Sequence, residues 1–289
     1  MTNSKVPDFE TVTSPPRRSD ISYAAVKDGE VIGSGGQAIV KRVSLPDPDP
    51  PDTVAVKEPQ APSETVSKEI AKSFLRKATT WQKLATRERT NQYRETDHIV
   101  GVVAIGEQLP WVAMEYMNGG SLADRIDAHP QGLPVEEALW IGECLCKGLK
   151  IAHDNGVAHL DLKPTNVLFR ETPEGVWDVP KIADWGFARA LIEDSHSMGA
   201  MSVEYAAPEQ FDADAFGKPD SYTAIYQIGA IITKILTGCP PYTGAQANIA
   251  HSVIYGDTPT PPSNRREALP TAVDGIVLQA LKPEKPQRY

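Results

Sequence analysis

Residues 159–169 read HLDLKPTNVLF, an acid, a base and an amide set between two apolar flanks. A core strand does not tolerate that trio, because an unpaired buried charge costs far more than strand packing returns. A plain surface loop needs no such order. Asp161, Lys163 and Asn166 therefore either cap the turn after a helix that Gly156 can close, or converge on one charged ligand. The rest of the chain decides between the two.

Net charge is −9 over 289 residues. That balance disfavours a nucleic-acid surface, which needs clustered Lys and Arg to neutralise phosphates, so no nucleic-acid partner is expected. Cys144, Cys146 and Cys239 form no CxxC pair and read as reduced thiols, which points to a cytoplasmic location. No charged start followed by an apolar run marks a signal peptide. The longest apolar stretch, Ile225 to Leu236, is broken by Lys234 and too short to span a bilayer, so it predicts a buried core helix. Nothing in the sequence indicates an oligomeric state.

Along the chain, residues 1–22 are poor in apolar side chains and predict a disordered or loosely docked arm. VIGSGGQAIVKRV, SLPDPDPPD and TVAVK alternate strand and turn signals, which predicts an antiparallel meander. Val66, Ile70, Phe74, Ala78, Trp81 and Leu84 then recur at helical spacing. HIVGVVAIG and PWVAMEYM return to strand character, and Asn118–Ser121 reads as a hinge. Beyond it come helices opened by Pro134, over Tyr222 to Leu236 and over Pro270 to Leu281. The prediction is an α+β chain: a β-rich part over 23–116 with one long helix, and a larger helical part over 117–289.

Gly33, Ser34, Gly35 and Gly36 lie between the first two strand signals, where missing Cβ atoms let backbone amides approach phosphate oxygens. A glycine hairpin alone is weak evidence, and Ala38 stands where a full GxGxxG has its third glycine. Lys57 ends the strand VAVK, either as an edge-strand charge or as a cation turned inward toward an anion.

Glycine turn, Lys57, His159–Asn166, Lys181–Gly186 and Ala207-Pro208-Glu209 together resemble, in order and spacing, the eukaryotic-type serine/threonine protein kinases, in particular their prokaryotic members. The resemblance implies a bilobal fold with a cleft holding ATP and Mg²⁺. It implies that Asp161 orients the substrate hydroxyl, Lys163 neutralises the γ-phosphate, Lys57 steadies the α and β phosphates, and Asn166 and Asp184 hold the metal. Met114 would guard the back of the nucleotide pocket. Glu115 and Met117 would bond adenine through backbone groups, and Val40, Ala55 and Leu168 would sandwich it. The implied partner is a protein with a Ser or Thr acceptor, since Lys163 two residues after Asp161 favours Ser/Thr over Tyr. Ser202 falls where the family has a Thr touching the substrate loop, and Arg288 is expected to pair with Glu209.

Three positions depart from the family. Lys77 stands where a helix glutamate would pair with Lys57, with Glu69 and Glu88 as substitutes elsewhere on the helix. Leu160 replaces the Arg that reads a phosphate on the activation segment, so phosphorylation at Ser195, Ser197 or Ser202 is not expected to act by that route. Ala224 replaces an Asp that accepts catalytic-loop amides, which predicts a looser loop. These departures motivate an alternative: a pseudokinase that binds nucleotide or partners with little turnover.

Overall fold

Strand order follows from where glycine and proline interrupt the β-branched runs. In the computed structural model, residues 5–7, 18, 21–35, 38–45, 51–60, 68–85, 98–106, 109–185, 202–256 and 258–289 are described. Strands β1 (Glu30–Gly35), β2 (Ala38–Ser44), β3 (Thr53–Pro59), β4 (Val102–Ile105) and β5 (Val112–Glu115) form an antiparallel sheet in the order β1-β2-β3-β5-β4. The meander is as the turn signals predict. Its two later strands cross over so that β5 sits beside β3, which makes β3 a central strand. Val54 and Val56 of β3 are fully buried, as β-branched residues favour.

The chain divides into two units, Met1–Gly119 with Phe169–Gly186, and Gly120–Leu168 with Phe187–Tyr289. The first cut falls inside the Asn118–Ser121 punctuation. In the first unit, the helix Lys68–Ala85 buries Phe74, Ala78, Trp81 and Leu84, while Ile70, at the correct spacing, stays exposed. Trp81 is wholly buried and its indole N–H donates to Val100 O at 2.8 Å. Ile99 in turn bridges Ile182 in parallel, and Val100 N–H donates to Ile182 O at 2.9 Å. These bonds gather the segment containing β7 (Val179–Ile182) into the first unit. β7 pairs with β6 (Val167–Arg170) in a second, two-stranded sheet.

Before Tyr23 only residues 5–7, 18 and 21–22 are described. At those points the segment is docked: Trp177 N–H donates to Lys5 O at 2.6 Å, and Arg18 N–H donates to Val103 O at 3.0 Å.

The second unit is helical. Ser121 caps the helix Leu122–Ala128, its hydroxyl and N–H donating to Asp124 at 2.7 and 2.8 Å, and these bonds hold the Asp124 carboxyl below its ordinary pKa. The helix Ser221–Thr237 is the apolar element expected near Ile225–Leu236 and packs against Val135–Asp154 and Ala272–Ala280. Gly229 makes the second contact feasible, since a Cβ there would lie 2.9 Å from the Ala280 Cβ. Leu139, on the Val135–Asp154 helix, faces solvent. Among the described residues no helix is long and apolar enough to cross a membrane.

His153, in the last turn of the Val135–Asp154 helix, has its Nε2 buried without a hydrogen-bond partner among the described residues. Burial lowers its pKa, and the charges of Asp154 and Asp220 offset that only in part. A folded-state pKa below the unfolded one means the fold favours the neutral ring. The associated stability is therefore present above the ordinary pKa of 6.5 and is lost as pH falls from there through the lower folded-state pKa. Urea unfolding between pH 7.5 and 5.5 should show a shallower decline for His153→Gln than for the native chain; equal slopes would contradict this.

Candidate active site

Lys57 closes the question of edge or interior by its place on β3, which is bonded to β2 on one side and β5 on the other. Its side chain turns to Asp184, with Nζ 2.7 Å from Oδ2. Asp184 follows β7 and holds φ at +64°, a left-handed conformation that few non-glycine residues adopt. Such strain persists where neighbours enforce it. Here the ion pair to Lys57 and the Ile99–Ile182 bridge fix the segment on both sides.

Lys77 lies on the buried face of its helix at 9% exposure, as the register with Trp81 requires. Glu69 is exposed, and Glu88 lies outside the described residues. Among the described residues, the carboxylate paired with Lys57 is that of Asp184.

The strand register sets the remaining nucleotide candidates of the first unit. Gly33 pairs with Val40, Ser34 with Ile39 and Gly35 with Ala38, while Gly36 lies outside the described residues. Val40 pairs with Lys57, and Ala55 with Met114. Ala55, Met114 and Met117 are buried. A Cβ on Gly35 would meet no atom of the described residues within 4 Å, so none of them demands glycine there.

Glu115 does more than the sequence suggests. Its N–H donates to Gly101 O at 2.9 Å, which removes that group as a base contact and leaves only its carbonyl for the expected role. Its carboxylate, 3% exposed, accepts from Gly101 N–H at 2.8 Å, from Lys181 Nζ at 3.0 Å and from Arg170. Lys181 is fully buried, so its charge is sustained by this pairing. No local pattern signals the cluster, because Arg170 and Lys181 are 55 and 66 residues from Glu115.

In the second unit the HLDLKPTN stretch forms a compact loop closed by the 3₁₀ turn Pro164–Asn166. Lys163 Nζ lies 2.9 Å from Asp161 Oδ2. Asn166 Nδ2 donates to the main-chain oxygen of Asp161 at 2.8 Å. That bond uses the amide nitrogen and leaves the amide oxygen, a hard donor of the type Mg²⁺ prefers. Asn166 therefore serves the turn and remains able to serve a metal. Leu168 is half-buried and bridges Ser121.

The loop is not left bare by the loss of an acid at 224. Ala224 is fully buried, but Leu162 N–H donates to Gln227 Oε1 at 3.0 Å. Without an acid at 224 the loop amide needs another partner, and a glutamine one turn along the same helix supplies the acceptor. Leu160 is buried at φ +61°. Ser202 is described and half-buried, whereas Ser195 and Ser197 lie outside the described residues. Arg288 grips Glu209 in a bidentate pair at 2.7 and 2.9 Å.

Known proteins carry the same pattern. The Protein kinase domain family model matches residues 26–289. The serine/threonine-protein kinase PknB of Mycobacterium leprae is 32% identical over 203 residues, 66% of this chain and 31% of that protein. Its namesake in Mycolicibacterium smegmatis is 30% identical over 204 residues, with the same coverage. The chain thus spans about a third of the length of these curated relatives. The crystal structure of the Mycobacterium tuberculosis PknI kinase domain superposes with a TM-score of 0.63 at 24% identity, covering 90% of this chain and 88% of that one, which shows a shared fold. With an antiparallel sheet and helical second unit of the expected α+β type, and a family match over nearly all of its length, the chain belongs to the protein kinase family.

Proposed function

We propose that the chain is an ATP-dependent protein kinase that transfers the γ-phosphoryl group to Ser or Thr hydroxyls of protein substrates. The observation that carries this reading is Lys57 on a central strand, bonded at 2.7 Å to the left-handed Asp184. A lysine and a carboxylate so placed would each find a counter-charge in a metal-bound triphosphate. The domain division proposed is an arm over 1–22, a small lobe over 23–116 and a large lobe over 117–289. We place the activity in the cytoplasm, where ATP is available.

Phosphoryl transfer needs positioning and charge neutralisation more than covalent chemistry. Lys57 holds the α and β phosphates, and Lys163 offsets charge on the γ-phosphate. Asp161 orients the acceptor hydroxyl and takes its proton at Oδ2 or Oδ1. Asn166 and Asp184 are the oxygen donors for Mg²⁺, which when bound supplies further charge neutralisation on the phosphates. Met117 and the Glu115 carbonyl meet adenine, with Val40, Ala55 and Leu168 against its faces and Met114 behind it. Gly33, Ser34, Gly35 and Gly36 lie over the phosphates. Of the departures behind the turnover-free alternative, the one at 224 loses force, since the loop amide is bonded.

The test is phosphate transfer from Mg-ATP to a serine-rich basic protein, with Asp184→Ala in parallel. Transfer by the native chain and its loss in the variant is the expected result. Equal incorporation by both would remove the enzyme reading, and nucleotide binding without turnover would promote the scaffold.

Gly35 gives a second check. Because its added Cβ would meet open space, Gly35→Val should change folding stability by less than about 0.5 kcal/mol. It should nonetheless weaken ATP binding roughly tenfold, about 1.4 kcal/mol, by keeping backbone amides off the phosphates. Unchanged affinity by titration calorimetry would argue against a phosphate role for this turn.

A further inference from the structure

The loop carrying Asp161 is held by a pair of neutral side chains that the family pattern does not account for. Gln227 Oε1 accepts from Leu162 N–H at 3.0 Å, and its Nε2 donates to Leu160 O at 3.2 Å and to Gln210 Oε1 at 3.0 Å. Gln210 Nε2 donates to the same Leu160 O at 2.8 Å, and its Oε1 also accepts from Ala207 N–H at 3.1 Å. We propose that Gln227, braced by Gln210, is the positioning residue of the catalytic loop, gripping the backbone on both sides of Asp161 in place of the missing acid at 224. The inference rests on the kinase reading for what Asp161 does, though not for the bonds themselves.

Helix geometry explains how the function moved by three residues. Positions 224 and 227 share a face of the Ser221–Thr237 helix. A side chain on a helix leans toward the N-terminus and covers the turn before its own Cα. A long amide from 227 therefore reaches ground that a short carboxylate from 224 would hold, and Ala224 leaves the space for it.

The exchange changes the chemistry of the grip. A carboxylate only accepts, whereas an amide accepts from Leu162 and donates to Leu160 with one group. Gln227 is 3% exposed, so the swap also avoids burying a charge. Leu160 needs this hold. Its φ of +61° is a conformation that a leucine keeps only where its surroundings impose it, and both amides converge on its carbonyl. Ordinary satisfaction of a buried glutamine would require neither a strained residue nor partners flanking the candidate base.

The decisive variants are Gln227→Leu and Gln227→Glu, each checked for folding by thermal unfolding. Gln227→Leu should lower kcat by about 10- to 100-fold, the scale of a small misplacement at the reacting centre, with KM for ATP little changed. Amide hydrogen exchange at Leu162 should accelerate in the same variant. Gln227→Glu places a carboxyl against two acceptors, Leu160 O and Gln210 Oε1, which favours its protonated form. Its activity should therefore fall as pH rises through the pKa of the new carboxyl, a limb absent from the native profile. If Gln227→Leu fails to fold, Gln210→Ala removes the shorter bond to Leu160 from a half-buried position and should still reduce kcat several-fold, on the order of the same positional effect.

A native rate and native Leu162 exchange in Gln227→Leu, or a native pH profile in Gln227→Glu, would overturn the proposal, as would a native rate in Gln210→Ala. Should the native chain itself show no turnover, the kinase reading fails alone, and exchange at Leu162 still decides whether the glutamine grips the loop.

Discussion

Asp161→Ala is expected to lower kcat for phosphorylation of a Ser or Thr substrate by about 10²–10⁴, the contribution of a positioned proton acceptor. The local fold should survive the change. Asn166 bonds the main-chain oxygen of Asp161, and Gln227 bonds the residues on either side, so none of these contacts needs the carboxylate. What is lost is the partner of Lys163, 2.9 Å away. Freed of that pairing, the lysine keeps its charge for the phosphates, and KM for ATP should hold or fall. Initial rates at saturating ATP are the measurement. A loss smaller than tenfold would mean that Asp161 is a turn residue and that the acceptor hydroxyl is handled elsewhere.

The largest effect on stability should come from Arg288→Met. Arg288 and Glu209 are 5% and 1% exposed, and the guanidinium also donates to Tyr222 O, Pro283 O and Lys282 O between 2.8 and 3.0 Å. Removing it strands a buried carboxylate whose remaining partner is the Thr223 hydroxyl at 2.7 Å. Breaking one side of such a pair costs about 3–5 kcal/mol. Adding Glu209→Gln should recover part of that loss, because the stranded charge goes with it. Urea denaturation of the single and double variants reads both values. A single-variant loss under about 1 kcal/mol would show that the pair is solvated in the folded chain.

Much of the architecture was legible because it is written in local terms. Glycine and proline punctuate β1 to β3, and the apolar run at Ile225 fixes a core helix. Lys57, Asp161 and Asn166 stand in short stretches with their own physical logic, whereas Asp184 could be named only through the resemblance to a known family. Periodicity misled where it counted residues without partners. Ile70 fits the helical stripe and is exposed, whereas Lys77 fits as a buried position despite its charge. Gln227 and the Glu115 cluster were not legible, because hydrogen bonds across 55 to 67 residues leave no trace in a window of sequence. The loss at Ala224 could be seen; its replacement three residues on needed the helix face and the atoms.

The Glu115 carboxylate ties together two regions that the chemistry would use for different ends. It follows Met114 and precedes Met117 on the side proposed to read the base, and it holds Lys181, three residues before Asp184. Gly101, which it grips twice, continues from the Val100 that anchors Trp81 and Ile182. A shift at any one of these points must be passed to the others through the shared carboxylate. On the proposed reading, one carboxylate therefore supports both the segment that meets the base and the segment that leads to Asp184, so a change at Glu115 is expected to disturb both together.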